Sequence, residues 1–112
     1  MVPMLFTVAG GELDLSVSPL GISEVAGTSS GTTSPATVTA TGGTTPYTYA
    51  WTKVSGSTEM GITSASSAST TFSYSFRTQG LFSATFKCTV TDNAGFEEEI
   101  TIGVTLIYIG GI

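Results

Sequence analysis

Apolar and polar residues alternate with a period of two along most of this 112-residue chain. That spacing sends successive side chains to opposite faces of a β-strand. Leu13, Leu15 and Val17 alternate with Asp14, Ser16 and Ser18, predicting a first strand. Pro19 and Gly21 interrupt it, and Ile22 to Val25 resumes it as an edge segment. Residues 27–34 (GTSSGTTS) carry nothing apolar to bury and read as a loop. Ala36, Val38 and Ala40 alternate with threonines in a next strand, which the Gly42-Gly43-Thr44-Thr45-Pro46 turn ends. Tyr47, Tyr49 and Trp51 share one face of the strand that follows.

A Ser/Gly-rich stretch, 55–69, covers a short strand around Met60 and Ile62. Phe72, Tyr74 and Phe76 alternate with polar residues, and Arg77 to Gly80 turns the chain. Phe82, Ala84, Phe86, Cys88 and Val90 fall on one face of a long strand. Asp92-Asn93-Ala94-Gly95 reads as a hairpin turn, because Asn and Gly accept positive φ. Ile100, Ile102, Val104 and Leu106 line one face of the last strand. No apolar stripe at helical spacing persists over three turns. About seven strands at regular intervals predict an all-β fold, a sandwich of two antiparallel sheets.

Composition explains the outer faces. Serine and threonine make up 36 residues and glycine another 14, whereas only 10% of the chain is charged. Mean hydropathy is +0.33, which sets the chain apart from disordered sequences. The net charge is −5, with three basic residues, Lys53, Arg77 and Lys87, too few for a phosphate-tracking surface, so nucleic acid is not an expected partner. With no histidine and one cysteine, Cys88, the chain can form neither a histidine-based triad nor an intrachain disulfide. No cofactor and no enzymatic activity are expected. The apolar opening run is short and lacks a basic flank, so neither a secretory signal nor membrane insertion is expected.

Several residues invite sharper readings. Asp92 with Glu97, Glu98 and Glu99 offers oxygens for Ca²⁺, but neighbouring strand residues diverge and no spaced ligand loop is present. A solvated acidic edge that discourages sheet-to-sheet pairing is the reading adopted. Cys88 has no activating base and sits between core positions, so it reads as an inert buried thiol. Tyr47, Tyr49 and Trp51 could stack on a sugar, but their shared face assigns them to the core, with Tyr47 the most exposed. Glu12 and Asp14 have no partner to make them a glycosidase pair. Gly10-Gly11 and Gly110-Gly111 lack the strand–glycine–helix context of a phosphate cradle.

Trp51 in mid-strand, Cys88 on the long strand and Phe86 two residues before it resemble the pattern of an immunoglobulin-like sandwich. The first cysteine's place falls to Ala36 or Val38, so the disulfide is absent, and Phe86 cannot supply the hydroxyl of a tyrosine corner. Gly43-Thr-Thr-Pro-Tyr-Thr-Tyr-Ala-Trp51 and Ala84-Thr-Phe-Lys-Cys-Thr-Val-Thr-Asp-Asn-Ala-Gly95 resemble more closely PKD-type and related bacterial and phage Ig-like modules, over residues 35–107. The resemblance implies a structural accessory on a bacteriophage virion, a capsid decoration or tail-associated protein made in the host cytoplasm. Other virion proteins and further copies of the chain are its expected partners. The alternative is an adhesion module that binds host glycans through loop tips.

The core is expected at Val38, Trp51, Phe72, Phe86, Cys88 and Val90. Residues 1–10 are expected to be a docking segment, 11–109 the sandwich and 110–112 a tail. Uncharged terminal runs supply the expected docking residues Val2, Met4, Leu5, Phe6, Ile107, Tyr108 and Ile109. Adjacent apolar residues on a strand cannot both face one core, so a monomer would expose some of them.

Overall fold

The alternation resolves into strands in a computed structural model that describes residues 12–110. In chain order these are β1 (Asp14–Ser18), β2 (Gly21–Ala26), β3 (Ser30–Thr32), β4 (Ala36–Thr41), β5 (Thr48–Gly56), β6 (Met60–Ile62), β7 (Ser69–Thr70), β8 (Phe72–Ser75), β9 (Gly80–Thr91) and β10 (Glu97–Tyr108). One sheet runs β2-β10-β9-β5, with β2 parallel to β10 and the other pairs antiparallel. The opposing layer consists of β1-β4-β7 and β3-β8-β6.

Two strands run through both of those groups. β3 and β4 are one strand interrupted at 33–35, and β7 and β8 one strand interrupted at Thr71. Between the Thr32↔Ser73 and Ala36↔Thr70 rungs the first strand carries one residue more than its partner, the definition of a β-bulge. Thr33 bridges the break. Its backbone N–H donates to the Phe72 carbonyl at 2.9 Å, and its Oγ1 accepts the Phe72 N–H at 3.1 Å. The predicted 27–34 loop therefore contains a strand, and Thr33 is buried. Hydrogen bonding, not apolarity, builds it. The first strand likewise switches sheets at Pro19, so the ten segments reduce to the seven predicted strands of an immunoglobulin-like sandwich.

The inward residues of both layers form one core. Val38, Trp51, Phe72, Phe86, Cys88 and Val90 are all buried. Trp51 lies beside Cys88 in the β5–β9 register. Its ring meets Phe72 edge-on at 5.7 Å, and Phe72 stacks on Phe86 at 4.3 Å, separations at which aromatic pairs attract. The Trp51 Nε1–H donates to the Ser67 carbonyl at 2.8 Å, so the indole is buried without an orphaned donor. Through that bond, and through Trp51 N to the Ala65 carbonyl, the Ser-rich 64–69 stretch closes over the open side of β5.

Tyr108 departs from the expected docking role. It shares the inward face of β10 with Val104 and Leu106 and is buried, its ring 5.8 Å from Phe76. The period of two that exposes Ile107 turns Tyr108 inward. Val2, Met4, Leu5 and Phe6, with the rest of the 1–10 segment, lie outside the described residues.

Candidate functional site

The two poles of the sandwich differ in chemistry. At one pole the Asp92 carboxylate is buried and accepts backbone N–H groups from Thr44 at 3.0 Å, Ala94 at 3.0 Å and Phe96 at 2.9 Å. Burial alone would raise its pKa, but these bonds and one with Gly95 outweigh that and hold it below the ordinary carboxylate value. The approach is close because a Cβ at Gly43, where φ is +63°, would sit 2.6 Å from Asp92 Oδ2. Asp92 is thus a structural anion inside the turn, not part of the expected solvated edge.

Glu97, Glu98 and Glu99 remain exposed, with Glu99 3.5 Å from Lys87. Among the described residues no three acidic or cysteine side chains gather as a metal site. The chain also enters here. The Glu12 carbonyl packs against Gly42, and Asp14 pairs with Thr41. Six of the eight acidic residues, Glu12, Asp14, Asp92 and Glu97 to Glu99, therefore belong to this pole.

The aromatic residues do not form a sugar platform. Trp51 is buried, and Tyr47 and Tyr49 are half-buried against the core, with the Tyr47 hydroxyl donating to the Gly42 carbonyl at 2.6 Å. Tyr74 stacks on Phe76. Phe96 is the one aromatic exposed among the described residues. Cys88 is fully buried, and burial pushes its thiol pKa up, against a smaller lowering by a hydrogen bond to the Ala50 backbone. The thiol stays protonated, which removes it as a nucleophile or metal ligand.

The opposite pole is apolar. Along the outer face of the β2-β10-β9-β5 sheet, Thr85, Thr89, Thr91, Thr101, Thr105, Ser23 and Ser83 present small hydroxyls. This surface ends abruptly in a row across three strands, because Ile107 pairs with Val25 of β2 on one side and with Leu81 of β9 on the other. Ile109 follows just past β10. Their exposures are 69% for Leu81, 62% for Val25, 55% for Ile109 and 44% for Ile107, so none of the four belongs to the core. Neighbouring strands lie about 4.8 Å apart, which makes the row contiguous. Arg77, in the turn before β9, is near this end.

The expected docking residues Ile107 and Ile109 therefore fall on one patch, which Val25 and Leu81 complete. Neither is among the docking residues expected from the sequence. Leu81 carried a signal, since its parity is opposite to that of the core-facing Phe82, but only the strand register joins it to Val25 and Ile107.

A family model for the K319L-like PKD domain matches residues 24–106. Among seven solved chains that match is the ASH/PapD-like domain of human CEP192 (PapD-like domain 7). It superposes with a TM-score of 0.73 at 8% identity, over 97% of this chain and 94% of that one. At that identity the likeness is one of fold. No curated protein matches the sequence.

Proposed function

Because the chain belongs to the K319L-like PKD domain family, whose sandwiches are generally structural and binding modules, we propose that it is a non-catalytic docking module and serves as an accessory protein of a bacteriophage virion. The observation that carries the docking reading is the Val25–Leu81–Ile107–Ile109 patch. Contiguous exposed aliphatic side chains on a sheet face otherwise covered by hydroxyls and a few charged side chains are the usual mark of an interaction surface. The Ser/Thr-covered strands between the two poles support a passive role, since they stay in solvent without recruiting charged ligands. The resemblance of the Gly43–Trp51 and Ala84–Gly95 segments to phage Ig-like modules supports the virion as the setting.

The test is direct. Tailed-phage particles purified from lysates in which the chain is produced are analysed by mass spectrometry and cryo-electron microscopy. The reading expects the chain as a stoichiometric component, and Leu81→Glu with Ile107→Glu should strip it from the particles. A chain abundant in the lysate but missing from washed particles overturns the virion assignment. Retention of the double variant overturns docking through the patch.

A further inference from the structure

What covers the apolar pole is constrained by the chain itself. Residues 2–8 contain Val2, Met4, Leu5, Phe6 and Val8 and no charge, a composition that matches an aliphatic surface. They precede Glu12, which sits at the acidic pole against Gly42. The patch is at the far end of the same sheet. Ten residues of β9 separate the Thr91–Glu97 rung from the Leu81–Ile107 rung, a span of about 33 Å. A fully extended chain gains at most about 3.6 Å per residue, so Phe6 can lie no more than about 22 Å from Glu12 and Leu5 no more than about 25 Å. The most apolar part of the segment cannot reach the patch of its own molecule.

It can reach the patch of a neighbour. We infer that residues 2–8 of one copy dock on the Val25–Leu81–Ile107–Ile109 patch of a second copy, joining the chains head to tail. This rests on the reading of the patch as a docking surface and adds its occupant. Charge favours the same arrangement. Stacking acidic pole on acidic pole would oppose two clusters of carboxylates, whereas head-to-tail contact brings that pole to an end where Arg77 is balanced by Glu24, one rung from the patch, and so avoids the repulsion. β2 is also the edge strand of its sheet, so unpaired backbone groups lie beside Val25 for an incoming extended segment. Such a contact uses different surfaces on the two partners. It propagates until the rotation between copies closes a ring, or without limit if it does not.

Sedimentation velocity on the purified full chain, from about 1 μM to about 1 mM, reads the association. The full chain is expected to assemble with concentration. Leu81→Glu with Ile107→Glu, and separately deletion of residues 2–8, should each weaken assembly at least about tenfold. Leu81 and Ile107 lie outside the core, and unchanged circular dichroism and melting confirm that both variants fold. Leu81→Ser with Ile107→Thr repeats the test without added charge. Mixing is decisive. The patch variant still carries its segment and the deletion variant still carries its patch, so together they should form a one-to-one complex that neither forms alone. A full chain that stays monomeric, a deletion variant that still self-associates, or a mixture that gives no complex overturns the inference. If the chain is monomeric yet the patch variant is lost from particles, docking stands and only the second copy is refuted.

Discussion

Asp92 and Thr44 are 48 residues apart in sequence, yet Asp92 Oδ2 accepts the Thr44 backbone N–H at 3.0 Å. The Asn93 N–H returns a bond to the Thr44 carbonyl at 2.7 Å. The turn between β9 and β10 and the loop between β4 and β5 are thus tied by reciprocal bonds, one of them charge-assisted.

Asp92→Asn should lower the melting temperature at neutral pH, because one carboxylate oxygen becomes an amide donor facing backbone donors. The folded-state pKa is depressed, so this stabilisation is complete above the ordinary carboxylate value of about 3.9 and is lost as pH falls through the folded value. Thermal melts of wild type and variant should therefore differ most at neutral pH and converge in acid. A gap that widens on acidification would show that the carboxylate is not held by these donors.

Thr33→Val should cost about 1–3 kcal/mol in urea unfolding, because it keeps the shape but leaves the buried Phe72 N–H without its acceptor. Thr33→Ser, which retains the oxygen, should cost less. If the two variants are equally destabilised, the methyl group and not the hydroxyl matters at the bulge.

Trp51→Ala should cost about 3–5 kcal/mol, the usual penalty for removing a buried aromatic and leaving a cavity. Equilibrium denaturation followed by far-ultraviolet circular dichroism measures it. A loss below about 1 kcal/mol would contradict the position of Trp51 between Phe72 and Cys88.

Cys88 should resist a disulfide reagent in the native protein and react stoichiometrically once unfolded, since burial keeps it protonated and inaccessible. Fast labelling without unfolding would place it outside the core.

The strands were legible where one face is apolar. Phe86, Cys88 and Val90 announce β9 by alternation alone, and Ile102, Val104 and Leu106 announce β10. Legibility failed where hydrogen bonds replace apolar contacts. Ser30–Thr32 forms a strand with every residue exposed, and Thr33 is buried for its hydroxyl. Asp92 looked like part of an acidic run, and only the fold shows backbone donors converging on it. The uninterrupted apolar run from Leu106 to Ile109 hides the parity that puts Tyr108 on the same face as Leu106. The patch was half legible. Ile107 stood out beside Leu106, but Val25 and Leu81 come from strands far apart in sequence and meet only through register.

The parallel pairing of β2 with β10 bears on how the domain carries load. Residue 12 enters at one pole and residue 110 leaves at the other, so tension between the ends draws β2 and β10 in opposite directions along their common axis. The six rungs from Gly21↔Gly103 to Ala26↔Tyr108 then stretch together instead of opening one after another like a zipper. In single-molecule pulling, this geometry should yield in one abrupt event at a force well above that needed when the same sheet is gripped across its strands. Equal forces in the two directions would mean that the clasp between β2 and β10 is not what resists extension.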